Sequence, residues 1–330
     1  MQLWTEAKLL ETARAFQPAC VVLAAADLDI FTVLARGAAT AAALASVLDT
    51  DPRATAILLD ALAALDLLAK RGDVYVVPPE VANLLSEDSP TNVLAGLRHQ
   101  ANCLRRWVQL ARVVRDGGPA QRTPSIRGEI ADTEAFIGAM DNFSVAVAPA
   151  VVGRLGPLRF QRLLDIGGAS GTWTIAFLRG APEATAVLFD LPEVVPLARQ
   201  RLMRANLLDR VTLVAGDYNR DDLPGGADLA WLSAIAHQNS RQENRALFAK
   251  TYAALTPGGA LAIRDVVLDR SRTKPPAGAL FAVNMLVGTE GGNSYTFEEF
   301  RDDLSATGFA DVELLYPDEG MNSLIRAWKA

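Results

Sequence analysis

Apolar and polar positions alternate along this chain in two different ways. Up to about residue 150 the sequence is rich in Ala and Leu at helical spacing, and from about residue 160 onward short β-like runs alternate with helical stretches. In the first half, Asp51-Pro52-Arg53 predicts a helix start, with Asp51 able to cap and Pro52 in the first turn. Leu58, Leu62 and Leu65 then recur at i, i+4 and i+7, one apolar face. Lys70-Arg71-Gly72-Asp73 predicts a turn, and Val74-Tyr75-Val76-Val77 a short strand stopped by Pro78-Pro79. Helix, helix and a small β-ribbon make a winged-helix-like module. Its second helix, expected over 53–69, is mostly Ala, Leu and Asp, whereas a groove-reading helix needs donors such as Arg, Asn or Gln. The module is therefore expected to serve packing or dimerisation.

The segment 90–116 predicts a link into one long helix whose Arg98, His99, Arg105, Arg106, Arg112 and Arg115 suit a solvated face. A loop over 117–127 follows. A helix from Thr133 then sets Phe136, Met140, Phe143 and Val147 on one stripe, suited to a core or to the wall of a ligand pocket. Beyond it, strands are expected over 162–166, 185–189, 211–214, 230–235 and 260–268, with helices near 172–179, 194–204 and 241–255. Strands alternating with helices imply a parallel sheet covered on both faces. After a helix near 297–307, runs at 312–315 and 323–328 flank Pro317-Asp318-Glu319-Gly320, which predicts a terminal antiparallel hairpin. The domains expected are 1–100, a winged-helix-like dimerisation module; 101–155, a helical linker and pocket wall; and 156–330, an α/β domain.

Composition narrows the function. The 330 residues are 50% apolar and 21% charged with a net charge of −6, a globular profile that argues against a general nucleic-acid binder. Cys20 and Cys103 are too few for a disulfide framework or a thiolate zinc site, which suits a reducing compartment, and no metal centre is expected. The start of the chain lacks a basic region followed by an apolar run, and the apolar stretch 18–34 is interrupted by Asp27 and Asp29. A cytoplasmic protein without a membrane partner is expected.

In an open α/β sheet, ligands bind beyond the carboxyl ends of the strands. The strand exits here read Asp165-Ile166-Gly167-Gly168-Ala169-Ser170-Gly171, then Asp190, Gly216-Asp217-Tyr218, Ala236-His237 and Asp265. A glycine-rich turn opening a helix lets backbone approach a ligand closely. Two rival motifs fail on residue identity. A G-x-G-x-x-G fingerprint ending at Gly171 would need glycine where Ile166 stands, and a G-x-S-x-G elbow around Ser170 would need it where Thr172 stands. Asp190 closes the second strand at the place where an acid accepts the two hydroxyls of a ribose, and its charge would repel a 2′-phosphate. Asp217 is placed to accept from an adenine amino group.

With these residues in order, the sequence resembles the S-adenosylmethionine-dependent O-methyltransferases of the caffeate/acetylserotonin type. Leu163-Leu164-Asp165-Ile166-Gly167-Gly168, Phe189-Asp190-Leu191-Pro192, Gly216-Asp217-Tyr218, His237 and Pro257-Gly258-Gly259 carry the likeness, which spans nearly the whole chain. The resemblance implies a Rossmann-like class I methyltransferase domain behind a dimerisation module, and hence a homodimer. It implies S-adenosylmethionine contacts from the motif residues Asp165, Gly167, Gly168, Asp190, Leu191, Asp217 and Tyr218 and from Ser233, and it makes His237 the general base. Three positions depart from the family pattern: Ala169 replaces the third glycine of the turn, Gln238 replaces the Asp after the histidine, and Ser294 stands where plant members carry an acid that orients the histidine. Asp265 falls near the family's other orienting acid, and Asn284 resembles a bacterial pocket position, so Asp265 or Asn284 is the expected partner of His237.

A phenol with pKa near 10 is mostly protonated at neutral pH, and a histidine can take its proton as it attacks the methyl group. The acceptor is expected to be a small aromatic or secondary metabolite, held among Trp107, Phe136, Met140, Phe143, Asn284 and Met285. Alternatives are a small-molecule C- or S-methyltransferase, a cofactor-binding relative with altered chemistry, and a winged-helix transcriptional regulator.

Overall fold

The computed structural model describes residues 3–157 and 159–330. The chain forms two compact units, one from residues 1–105 and 122–142, the other from 106–121 and 143–330. The segment expected as a linker is thus shared between them.

In the first unit, Thr40 caps the helix Ala41–Leu48 by accepting from the Ala43 N–H, and Asp51 caps Pro52–Ala64 by accepting from the Ala54 N–H. The second helix ends at Ala64, short of the expected 69, because residues 69–71 enter a strand. That strand, Ala69–Arg71, pairs with Val74–Val76, which also pairs with Ala39–Thr40. Lys70 and Arg71 therefore lie in the ribbon, and only Gly72-Asp73 turns. Lys70 is held there because its ammonium and the Tyr75 hydroxyl both donate to Asp60, at 2.6 and 2.8 Å. The core is Phe31, Leu44, Leu59, Leu62 and Tyr75. The single long helix expected within 90–116 breaks at Val108-Gln109 into Leu94–Trp107 and Leu110–Asp116, the latter belonging to the second unit, and the next helix, Gly128–Ser144, starts before Thr133 and ends before Val147. The helices Glu6–Arg14 and Phe16–Asp27 leave Leu9, Leu10 and Phe16 exposed. Length and composition alone would let the stretch Glu6–Asp27 cross a membrane, and 17% of its most apolar window is buried within the chain.

The second unit is α/β. Its sheet strands are β1 (Arg162–Ile166), β2 (Thr185–Asp190), β3 (Val211–Ala215), β4 (Ala227–Ser233), β5 (Leu255–Asp265), β6 (Phe309–Tyr316) and β7 (Ser323–Lys329). They lie in the order β6-β7-β5-β4-β1-β2-β3. The five strands from β5 to β3 pair in parallel, and β6 and β7 add the antiparallel hairpin. Strand alternation sends Leu164, Ile166, Phe189, Leu232 and Ile263 to one core. Leu163, Leu188, Trp231 and Ala262 go to the other, beneath the helix Thr172–Gly180. Each such large side chain contributes about 1.5–3 kcal/mol on burial. The indole N–H of Trp231 has no conventional acceptor, and Phe177 meets that indole edge-on at 5.1 Å.

Two strands depart from their expected bounds in ways that shape the site. β4 stops at Ser233 because Ala234 turns left-handed (φ 58°), and the chain then makes a short 3₁₀ turn over Ala236–Gln238. β5 begins at Leu255 and ends at Asp265; beyond it, Val267–Leu268 pairs instead with Tyr295–Thr296. The helix Arg241–Ala254 starts just after His237 with a Ser240–Glu243 capping box, and Phe297–Ala306 starts with a Thr296–Glu299 box.

Asp303 ties those two helices together. Its carboxylate is 4% exposed and accepts from Arg241 Nε and Nη2 (2.9 and 2.8 Å) and from Arg245 Nε (2.6 Å). Asp303→Ala is expected to lower unfolding free energy by about 2–4 kcal/mol, near the low end for a buried pair because the arginines are partly solvated. A lowered urea midpoint with unchanged slope would show it, and an unchanged midpoint would refute it.

Candidate active site

The exit of β1 is tied to β2: Gly167 N–H donates to Phe189 O at 2.8 Å, and the chain turns there with φ +66°. A Cβ at Gly167 would come within 2.7 Å of Ile235 Cδ1, and one at Gly168 within 2.6 Å of Leu188 Cγ. The left-handed backbone therefore favours glycine at 167, and packing against Leu188 and Asp165 demands it at 168. Ala169 is also left-handed (φ 46°), at a cost of about 1 kcal/mol that glycine would not incur. Its N–H donates to Asp190 Oδ2 at 2.7 Å, and Leu191 N–H donates to Oδ1 at 2.7 Å. Each carboxylate oxygen keeps a lone pair, which suits a vicinal diol. Burial raises the Asp190 pKa against those two donors.

Asp165 lies beneath this turn, 1% exposed, and accepts from Thr174 Oγ1 at 2.6 Å. It thereby ties β1 to the first turn of the helix Thr172–Gly180. Burial pushes its carboxyl up to about 7.

At the exit of β3, Gly216 N–H donates to Asp190 O at 2.9 Å, and a Cβ there would sit 2.6 Å from the Phe189 ring. Asp217 Oδ1 accepts from Asn219 N–H at 2.9 Å, and its carboxylate stays partly exposed. Tyr218 packs against the core, and burial pushes its hydroxyl up to about 12, so it is a neutral donor. Leu191 is 39% exposed at the same edge.

His237 follows β4 and is 6% exposed. Its Nδ1 lies 2.7 Å from Asp265 Oδ1, and its backbone N–H donates to Oδ2 at 3.2 Å. Val266 N–H donates to Oδ1 as well, at 2.7 Å. An ionised carboxylate at Nδ1 selects the tautomer with the proton there, leaving the Nε2 lone pair free to accept one. Phe281, on the helix Pro276–Gly288, meets the imidazole edge-on at 4.8 Å.

Of the two residues expected beside His237, Asp265 is the one within hydrogen-bond distance of the imidazole. Asn284 Oδ1 instead accepts from Trp107 Nε1 at 2.8 Å. That bond turns the Asn284 amide so that its NH₂ remains as a donor, one turn from Phe281. Ser294 is buried and donates to Gly278 O at 2.9 Å, and Gln238 Nε2 donates to Ala234 O at 3.0 Å. Neither side chain orients the imidazole. Ser233 Oγ accepts from Arg264 Nη1 at 3.2 Å. Met285 is buried on the helix with Asn284, and Phe143 is 47% exposed. Phe136 and Met140 belong to the first unit, where Phe136 lies 5.3 Å from His99.

Sequence reasoning missed Thr174, Phe281 and Arg264. Only Arg264 left a trace, as a charge inside an otherwise apolar strand. A groove of about 500 Å³ on the far side of the helix Thr172–Gly180, lined by Val152, Ile175, Arg179 and Arg201 among others, holds none of the predicted residues. Among the described residues no cluster of His, Cys, Asp and Glu could hold a metal ion.

Comparison with known proteins matches residues 124–310 to the O-methyltransferase domain family and residues 10–87 to the O-methyltransferase dimerisation domain. The chain is 32% identical to the tetracenomycin polyketide synthesis 8-O-methyl transferase TcmO of Streptomyces glaucescens, over 92% of this chain and 91% of that protein. Human N-acetylserotonin methyltransferase in complex with SAM superposes with a TM-score of 0.83 at 26% identity, covering 100% of this chain and 99% of that one. PigF with SAH superposes with a TM-score of 0.86 at 26% identity, covering 99% and 100%.

The raised pKa of Asp165 carries a stability signature. Its native value of about 7 lies above the unfolded value near 3.9, so its favourable contribution is complete below about pH 4 and lost as pH rises through 7. Asp165→Asn cannot ionise. Its melting temperature relative to the unsubstituted protein is expected to rise from about pH 5 to pH 8. A difference that does not move with pH would contradict the assignment.

Proposed function

Given that the chain belongs to the S-adenosylmethionine-dependent O-methyltransferase family, we propose that His237 is the general base that deprotonates an aromatic hydroxyl, oriented by Asp265. The 2.7 Å contact between His237 Nδ1 and Asp265 carries this reading. When bound, S-adenosylmethionine supplies an electrophilic methyl group whose carbon–sulfur bond breaks with the electron pair kept by sulfur. As the acceptor oxygen bonds to that carbon, His237 Nε2 takes the hydroxyl proton, and Asp265 holds the resulting imidazolium. Asp265 lies on the inner side of the imidazole with its oxygens already engaged by the His237 and Val266 N–H groups, so it keeps its orientation without moving.

The residues at the strand exits suit the cofactor. Asp190 offers two oxygens to a ribose diol, Asp217 and Tyr218 suit the adenine, and Leu191 gives an apolar edge. Gly167 and Gly168 let the turn lie close. Trp107, Phe281 and Phe143 would offer flat apolar surface to an aromatic acceptor, with the Asn284 NH₂ as a donor beside Trp107. An acceptor with an oxygen beside the methylated hydroxyl would use it. The matched dimerisation domain and the exposed Leu9, Leu10 and Phe16 support a homodimer built through the first unit. The two cysteines suit a cytoplasmic enzyme.

His237→Ala is expected to lower kcat on an aromatic hydroxyl acceptor by about 10²–10⁴-fold. Calorimetry should find S-adenosylhomocysteine affinity unchanged. Asp265→Asn should lower kcat too, because an amide NH₂ facing Nδ1 favours the wrong tautomer. Full turnover by His237→Ala from about pH 6 to 9 would sink the assignment.

A further inference from the structure

Arg264 is the one basic residue that the described structure buries to 4% exposure, and the mechanism above does not use it. It is the register partner of Ser233, so the two end β5 and β4 side by side. Strand alternation puts both on the face covered by the helix Thr172–Gly180. The first turn of that helix lays the Trp173 ring 4.7 Å from the guanidinium. Arg264 Nε donates to Asn322 Oδ1 at 2.9 Å and Nη1 to Ser233 Oγ at 3.2 Å. Both partners are neutral. Among the described residues no carboxylate lies within ion-pair distance of it, and Nη2 donates to nothing. Asp265 points to the opposite face and is committed to His237, and Asp318 acts only at longer range. A full charge taken from water and held by neutral dipoles alone is costly, and a guanidinium fork fits a carboxylate better than any other common anion except phosphate.

The rest of the edge says which anion belongs there. Asp190 and Asp217 fit the ribose and adenine at the ends of β2 and β3. The reacting sulfur has to approach His237, beyond β4. The other end of the cofactor therefore runs from the β1 turn toward β4 and β5, and its one anionic group is the α-carboxylate. We propose that Arg264, with the Ser233 hydroxyl, binds the α-carboxylate of the methionyl end of S-adenosylmethionine. Trp173 covers the guanidinium, and Asn322 fixes its plane. The proposal rests on the placement of the nucleoside at Asp190.

Calorimetry with two thioethers tests it. S-Adenosylhomocysteine carries the carboxylate, and 5′-methylthioadenosine has the same nucleoside without the amino-acid end. Arg264→Met is expected to weaken S-adenosylhomocysteine by about 30-fold or more and leave 5′-methylthioadenosine unchanged. In the unsubstituted protein, the methyl ester of S-adenosylhomocysteine should lose a similar factor, and in Arg264→Met the ester should cost nothing further. The ester comparison needs no variant to fold. Equal weakening of both thioethers in Arg264→Met, or an ester that binds the unsubstituted protein as tightly as the acid, would overturn the proposal. Asp190→Ala separates the two readings: it should weaken both thioethers alike, and full affinity for 5′-methylthioadenosine in that variant would refute the nucleoside placement instead.

Discussion

Parallel pairing of β3, β2, β1, β4 and β5 is the constraint from which the chemistry of the second unit follows. Parallel neighbours must all end at the same edge, so residues distant in sequence become neighbours there. Hydrogen bonds between the exits lock this edge: Gly167 N–H to Phe189 O, Gly216 N–H to Asp190 O, and Ala234 N–H to Arg264 O. Each connects one strand's departure to the next strand's end. The side chains that leave the edge then have little freedom, and Asp190 in particular is fixed by donors from the β1 turn and from Leu191, the residue after its own strand.

The same strands carry charges where a two-sided sheet should have none, and alternation sorts them by face. Asp165 and Arg264 face the helix Thr172–Gly180, while Asp265 faces the other way, toward His237. Burial raises the Asp165 carboxyl to about 7, which lowers the ionic cost of holding the Thr174 hydroxyl there. Arg264 keeps its charge at neutral pH even though burial draws its pKa down to about 10. Asp265 accepts three hydrogen bonds, which offset the loss of water around it. One strand thus presents adjacent charged residues to its two opposite faces.

Much of this edge was legible from the residues. The exits at Ile166, Asp190 and Ala215 could be read because a buried strand is a run of apolar residues that stops at a polar or glycine-rich turn. The exit of β4 was harder. Ser233-Ala234-Ile235-Ala236 looks like continuing strand, and only the left-handed Ala234 bends it, a conformation that alanine does not advertise. In the first half, Lys70 and Arg71 read as turn residues by polarity, yet Asp60 on the preceding helix gives Lys70 a partner that holds it in a strand.

Local sequence was not enough for the helix Pro276–Gly288, which went unpredicted. It was enough for the alternation of the sheet strands with the helices between them, the glycines of the β1 turn, the acids at the strand ends and the histidine after β4. Each is a local property, set by periodicity, backbone freedom or a residue type that an apolar strand has no reason to end on. Tertiary structure alone decided which groups meet. It gave His237 to Asp265, placed 28 residues away, and sent Asn284 to Trp107, 177 residues away. It also withheld Ser294 from the site and set Arg264 against Ser233 across two strands. These choices depend on the register between strands and on which face each side chain takes. A one-residue slip reverses every face, and the strand that fixes the register lies far along the chain.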